Sequence, residues 1–547
     1  MTIKTQVLIV GAGPVGQGLA IELGLRGIHC MVIDKNDRVG MAPRAKTTNV
    51  RSREHFRRWG MADKLRDASP FGVDYPSNIV FTTRLSGHQL AKFDNALYCA
   101  PGRNPLYSEH AQWIPQYKVE QVMRDHLAGI PAAQMRLQCE LRSLEQRDDA
   151  VFATIACAEG GEQVVEAQYL VGCDGARSGV REVIGARMEG QYGLSRNYNF
   201  VFRAPGLEKA HSQGKAIMYW HINGDLPCII GPMDDGDRWF FMPTGLAPGV
   251  TITRDNAADY IRKTTGIDLP YEILSADEWV ASELLATHYR DRRVFIAGDA
   301  AHLHPPFGGF GMNMGIGDAV DLGWKLAAVL QGWGGAALLD SYEQERRRVH
   351  KYVMEQATAN HALLGGSLLK PGLEDDTEEG RELREATGQR IRGAKLSEFY
   401  TLGTILGDCY AGSPVVVGDE GGADAEHTAP RDFLNYVPRA EAGCRAPHAW
   451  LHDGSSLFDH FGAGFTLLVS DGAAMGDAAR ACEDAARHGM PLKVLRQDNG
   501  GVRQLYAQAL TLIRPDQHIA WTGAAWPDAT ESDVLAIVAG LAAKQAS

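Results

Sequence analysis

Apolar residues open the chain in a short unbroken run, Val7 to Val10, which predicts a buried parallel strand over residues 5 to 10. A glycine turn follows, then an apolar helix around 15 to 27 and a second strand from His29 to Ile33. Strand, helix and strand at this spacing make a βαβ unit. From about 77 to 100, and again from 186 to 286, short alternating and aromatic runs are broken by Gly, Pro and Asp, the pattern of antiparallel sheet. Val164 to Cys173 and Arg293 to Ala297 end in acidic turns, so the chain is expected to return repeatedly to its first domain. After Asp318 the spacing predicts helix through roughly 360, apolar first and then rich in Glu and Arg from Glu343 to Arg348. Segments 370 to 395 and 412 to 430 read as charged or Gly-rich connections. Beyond them Phe465 to Ser470, an Ala-rich helix and Leu492 to Leu495 form another α/β unit, taken as a separate C-terminal domain.

A length of 547 residues supplies two or three domains, each with its own core. The net charge of -12 and the lack of a basic tract argue against nucleic acid as a partner. Nine cysteines without a CxxC or paired ligand spacing read as reduced, buried thiols, so neither disulfides nor a metal site is expected. The opening apolar run is too short for a signal-peptide core, and no run of about 18 apolar residues follows. The expectation is a cytoplasmic protein without a membrane partner.

Gly11-Ala12-Gly13-Pro14-Val15-Gly16 lies between predicted strand and helix, and Asp34 and Lys35 follow the next strand. In that order, Gly11 permits a tight turn, Gly13 lets backbone approach a pyrophosphate, Gly16 allows close helix packing, and Asp34 accepts ribose hydroxyls. The pattern indicates a dinucleotide without saying which.

Two further segments are more specific. Tyr169-Leu-Val-Gly-Cys-Asp174-Gly175-Ala-Arg177-Ser178-Gly-Val-Arg181 resembles the DG motif of the single-component flavin hydroxylases similar to p-hydroxybenzoate hydroxylase. Arg293-Val-Phe-Ile-Ala-Gly298-Asp299-Ala-Ala-His302-Leu-His-Pro305-Pro306 resembles their GD motif. The resemblance spans residues 5 to 360. It implies that the Asp174–Gly175 turn supports flavin and nicotinamide, that Asp299 meets the ribityl chain of FAD, and that backbone from Pro306 through Gly309, Gly311, Met312 and Asn313 reaches the flavin ring. Phe310 stands where the family often has Gln or Arg, so only the backbone role carries over. Arg44 in Pro43-Arg44-Ala45 resembles the arginine that reaches the pyrophosphate, and Gln116 the glutamine near the ribityl or phosphate region. Leu141 completes the cofactor set.

The end of the chain, with Pro447-His448 and Leu512 to Trp521, resembles the thioredoxin-like tail of the longer phenol hydroxylases but lacks CxxC. Packing or subunit contact is therefore its expected role. The fold class implied is α/β: a Rossmann-like FAD-binding domain (1–76, 101–185, 287–395), an inserted β-sheet substrate domain (77–100, 186–286) and a thioredoxin-like C-terminal domain (412–547).

The chemistry implied is reduction of FAD by NADH or NADPH, capture of dioxygen as a flavin 4a-hydroperoxide, and oxygen transfer to a phenol-like ring. Ionising a phenol of pKa ~10 at pH 7 costs about 4 kcal/mol, so a cation or base is expected beside its hydroxyl. Lys46, next to the Pro-Arg-Ala segment, is the first candidate, and His221, on a predicted strand of the inserted domain, the second. Trp239 to Met242 could supply an apolar wall. A homo-oligomer, most simply a dimer, is expected by analogy. The alternatives are a halogenase or non-oxygenating oxidoreductase on the same scaffold, or an inactive flavin-binding protein. The sequence has no WxWxIP string, its nearest approach being His110-Ala-Gln-Trp113-Ile-Pro115, and no second GxGxxG unit of the Baeyer–Villiger enzymes.

Overall fold

The computed structural model describes residues 2–37, 45–244, 246, 249–362, 368–410, 412–418, 432–528 and 532–543. Three larger sheets organise these residues, with a two-stranded pair, Thr47–Thr48 and Gln112–Trp113, beside them. The first has the path Arg290–Asp291, Val294–Ile296, Gly161–Gly172, Thr2–Val10, Cys30–Asp34 and Ala133–Leu137. Thr2–Val10 pairs in parallel with both Gly161–Gly172 and Cys30–Asp34, so its apolar end, Val7 to Val10, is buried on both faces. Helix Pro14–Gly24 packs on it, and two antiparallel strands, Cys139–Gln146 and Val151–Cys157, extend it.

The second sheet runs His302–Leu303, Glu272–Ala286, Met188–Arg203, Arg238–Pro243, Cys228–Pro232, Met218–His221, Ile79–Thr82, Gln89–Phe93. One pair departs from the antiparallel expectation. Ile79–Thr82 lies parallel to Met218–His221, because a long excursion separates these strands in the chain. Alternation sends Phe81, Trp220, Ile229 and Phe240 to one face, and Val80, Tyr219, Ile230 and Phe241 to the other.

The long helical stretch is two helices, Phe310–Leu330 and Ala336–Ala362, broken where Gly332 takes φ +86° and a Cβ on Gly335 would lie 2.1 Å from the Gly540 carbonyl oxygen. Segment 370 to 395 is largely helix, Glu378–Phe399. Thr377 caps it, Glu378 and Glu379 favour its first turn, and its buried Ile391 and Phe399 face the second sheet. Most of the charges of that segment line its solvent side, while Lys395 is buried. Residues 419–431, within the predicted Gly-rich segment, lie outside the described residues.

The expectation of free thiols also changes. Cys139 bonds to Cys157 and Cys409 to Cys444, while Cys30, Cys99, Cys173, Cys228 and Cys482 remain free. Strand register sets Cys139 opposite Cys157, and a bridge sets Cys409 opposite Cys444. Linear spacing carries no trace of either pairing.

The C-terminal sheet, Leu492–Arg496, Phe465–Val469, Leu510–Ile513 and Ile519–Gly523, shares its core with Trp324 of helix Phe310–Leu330. Arg514 enters the same junction. Its guanidinium donates to Glu345 at 2.6 and 2.9 Å, to Asp321 at 3.0 Å and to Asp516 at 2.6 Å, while Lys325 bonds Asp321 and Glu345 at 2.8 and 2.6 Å. Arg445 clamps Glu54 through both carboxylate oxygens. These contacts fix the tail to the first domain, and they give it a packing role. Replacing Arg514 by Met should strand buried carboxylates and cost roughly 3–5 kcal/mol, read as a lower urea midpoint of the whole chain.

Candidate active site

Gly11 turns the chain at φ +108°, donating its N–H to the Ile33 carbonyl at 2.7 Å, and a Cβ there would lie 2.2 Å from the Cys173 carbonyl oxygen. A Cβ on Gly16 would meet the Gly11 carbonyl at 1.9 Å. Only glycine fits either place. Gly13 precedes helix Pro14–Gly24, whose N-terminus has neither a side-chain cap nor an acid in its first turn. The same holds for helix Phe310–Leu330, preceded by Gly309 at φ +67°.

These two uncapped ends are neighbours. A Cβ on Gly315 would lie 2.4 Å from Val15 Cγ2, one on Gly298 2.8 Å from the same atom, and one on Gly323 2.5 Å from Glu22. The helices therefore run side by side in one direction, with Gly298 packed against Val15 in the first turn of one and Gly315 in the second turn of the other. Each such end favours a nearby anion by typically ~0.3–1 kcal/mol. A Cβ on Gly311 would meet open space, so this turn of helix presents bare backbone.

Asp34, at the end of its strand, accepts the Ala12 amide at 2.9 Å and the Asn36 amide at 2.9 Å, while Lys35 is exposed. Asp174 accepts Ser178 Oγ at 2.5 Å and the Val180 amide at 3.2 Å, capping the short helix Gly179–Val183. Arg181, whose bracing role the sequence does not reveal, ties that turn to the next by donating to Ala176 and Ala300 carbonyls at 2.9 and 3.1 Å. Asp299 is exposed on its turn. Pro306 and Met312 are half-buried, and Leu141 packs against the first core beside a β-bulge. Asn313 spends its side chain on backbone, accepting the Asn49 amide at 2.9 Å and donating to Thr47 and Gly309 at 3.0 and 2.7 Å. Gln116 accepts the Ala45 amide at 3.1 Å, so it braces the segment leading to Lys46. Arg44 lies outside the described residues.

Behind the Gly298 turn sits Asp318, wholly buried. It accepts the Gly298 amide at 3.0 Å, His302 at 2.8 Å and Arg346 at 2.8 Å, with His350 2.9 Å away. Burial alone would raise this carboxyl, but His350, His302 and Arg346 hold it well below the usual range. Burial pushes His350 down to about 3. The His302, Asp318 and His350 donor atoms lie within 4.8 Å of one another, a spacing that a metal could use. Here Arg346 and the Gly298 amide already occupy the carboxylate, which makes it a structural brace.

The Phe240 face of the second sheet holds Lys46. Its Nζ stands 4.2 Å from the Phe240 ring centroid and 3.9 Å from Met242 Sδ, and desolvation draws its pKa down to about 8. Trp113 and Trp220 share this face with Phe307 from the loop before Gly309. His221 does not. One residue past Trp220, it is directed to the opposite face, where Nδ1 lies 3.3 Å from Thr264 Oγ1 and 3.5 Å from Cys228 Sγ, and burial lowers its pKa to about 3. The structure thus separates the two candidate catalytic residues. Trp239 and Phe241 likewise face away from Lys46.

Glycine turns beside two parallel helix N-termini, with Asp34 at the end of the neighbouring strand, have the form of a Rossmann dinucleotide site, and these residues fit FAD. Residues 4–357 match the FAD binding domain family and 439–541 the aromatic-ring hydroxylase C-terminal family. The chain belongs to the FAD-dependent aromatic-ring hydroxylases, a group of flavoprotein monooxygenases. It is 32% identical over 571 residues to tetracenomycin B2 monooxygenase-dioxygenase of Streptomyces olivaceus, covering 98% of both chains. Identity to 2,4-dichlorophenol 6-monooxygenase of Delftia acidovorans is 29%, over 98% of this chain and 97% of that one. The solved structure of the rebeccamycin biosynthetic enzyme RebC with reduced flavin superposes with a TM-score of 0.89 at 33% identity, covering 99% of this chain and 100% of that one.

Gly11→Ala should leave the protein purified without flavin, because its Cβ would collide with the Cys173 carbonyl. The ratio of 450 nm to 280 nm absorbance after desalting checks this.

Proposed function

We propose that the protein hydroxylates a phenol-like aromatic ring, taking electrons from NADH or NADPH and an oxygen atom from dioxygen. The observation that carries the reading is Lys46, a desolvated amine on an aromatic face beside the flavin loop. When bound, FAD supplies the oxygen-activating chemistry. The protein's own part is to hold the ring against Phe240, Trp113 and Phe307, keep water away, and move one proton.

That proton passes from the phenol oxygen to Lys46 Nζ. With the amine near pKa 8 and a phenol near ~10, transfer to the neutral amine costs roughly 3 kcal/mol, and at pH 7 freeing the amine first adds about 1.4 kcal/mol, so the gain over ionisation into water comes from the charge left beside the phenolate. The ammonium so formed stays beside the phenolate and stabilises it further. Asp34 would hold the adenosine ribose, the Gly13 and Pro14 end of the first helix the pyrophosphate, Asp299 the ribityl chain, and the Gly309 to Asn313 backbone the flavin ring.

We also infer a cytoplasmic enzyme, three domains corresponding to the three sheets, and a dimer. Among the described residues no helix is long and apolar enough to cross a membrane, and Tyr192 and Val280 stand exposed on the projecting ribbon of Met188–Arg203 and Glu272–Ala286.

Two measurements test the reading. Across hydroxybenzoates, hydroxyphenylpropionates, chlorophenols and dihydroxybenzenes, at least one phenol should accelerate NAD(P)H oxidation with hydroxylated product and little hydrogen peroxide; uniform uncoupling would overturn the substrate assignment. With that phenol, kcat/KM should rise with pH and level off above about 8 as Lys46 loses its proton. Lys46→Met should remove that limb and lower the pH 7.5 rate by roughly 100-fold.

A further inference from the structure

Lys395 and Glu398 form an ion pair inside the aromatic face, Nζ to Oε2 2.7 Å, with side chains 1% and 5% exposed. They stand three residues apart on helix Glu378–Phe399, which closes that face of the second sheet. Nζ of Lys395 is 4.8 Å from the Trp220 ring centroid and 5.7 Å from that of Phe307. Trp220 is fixed from behind by Phe81, stacked at 5.2 Å. The ammonium therefore sits where the helix, the sheet and the flavin loop meet, and neither fold nor proton transfer at Lys46 accounts for it.

Stability does not explain the pair. Desolvating two charges costs several kcal/mol each, and an apolar pair of similar volume commonly serves a core as well or better. An ammonium has three N–H donors, and Glu398 is the hydrogen-bond acceptor found for it among the described residues. The rings of Trp220 and Phe307 offer only their faces to the rest. Such a group has capacity left for a second anion.

Its position sets the size of the ligand. Trp220 pairs with Ile229 and Ile229 with Met242, the residue touching Lys46. Two interstrand steps, roughly 10 Å between backbones, separate the strand under Lys395 from the strand under Lys46. We propose that Lys395 is an anion-binding residue for the substrate: the natural ring system carries a carboxylate that lies against Lys395 while its phenol oxygen lies at Lys46, and Glu398 positions the ammonium and competes for it. This rests on the hydroxylation reading above and narrows it to phenols that carry a carboxylate at the far end of the ring system. Chlorophenols and unsubstituted phenols are then poor ligands.

The test uses the FAD-loaded full chain with 3-(4-hydroxyphenyl)propionate and its neutral amide, which match in shape. Kd is read from flavin absorbance changes and by calorimetry, and product formation is measured separately. The wild type should bind the acid at least 10-fold more tightly than the amide. Lys395→Met should erase that preference, bringing the acid to the affinity of the amide. Glu398→Gln, by removing the competing carboxylate, should tighten the acid several-fold and leave the amide unchanged. An acid that the wild type binds no better than the amide, or not at all, overturns the proposal, as does a preference that survives Lys395→Met. Charge-selective binding without any hydroxylated product would instead sink the Lys46 reading and leave the subsite standing.

Discussion

The buried carboxylate of Asp318 is the constraint on which the cofactor site depends. A lone ionised carboxylate cannot remain in such a place, since desolvation costs it several kcal/mol. It persists because the Gly298 amide, His302 and Arg346 each meet it and His350 stands beside it. Those partners come from two separate pieces of chain and Asp318 from a third, so satisfying one charge fixes the Gly298–Asp299 turn, the helix Phe310–Leu330 and the helix Ala336–Ala362 relative to each other. Val15, wedged against Gly298 and Gly315, then brings the first glycine turn to the same point. Two parallel helix ends lie beside it with no side chain to neutralise them, and an anionic cofactor is the natural complement.

Much of that arrangement is legible in the sequence because it is local. Gly16 is demanded by the Gly11 carbonyl five residues away, Gly11 and Gly298 by the positive φ of their own turns, and an acid at the end of the following strand needs only the strand to be recognised. The side chains that furnish the substrate face obey a different logic. Trp220 and His221 are neighbours in sequence yet occupy opposite faces, and nothing in the string Tyr-Trp-His-Ile says which parity points toward Lys46. Lys395 ends a stretch that reads as a charged connection, and neither it nor Glu398 stands out in the sequence until helix Glu378–Phe399 is set against the sheet. The two disulfides were invisible for the same reason, since register alone brings their partners together. Arg346, and the bracing role of Arg181 within the DG motif, are not legible because a buried arginine and a solvent arginine look identical in one dimension.

Polarity is distributed with a consistent division of labour. At the tail junction the cations are saturated: Arg514 and Lys325 each meet more than one carboxylate, and Arg445 is clamped on both oxygens of Glu54. On the aromatic face the cations are undersaturated, Lys46 resting on a ring and a sulfur, Lys395 on two rings and one carboxylate. The first condition locks domains together, whereas the second leaves charge available to a small molecule.

The order of strands in the first sheet also bears on how the chain comes into being. Thr2–Val10 pairs with Gly161–Gly172, which in turn pairs with Val294–Ile296, so the sheet that begins with the first residues closes only after residue 296 has been made. At a synthesis rate of roughly 5–20 residues per second, the nascent amino-terminal strand waits for tens of seconds. Asp321 and Glu345 wait again for Arg514, near the far end. A ribosome carrying this protein thus displays an unfinished sheet, then two carboxylates that share the single charge of Lys325.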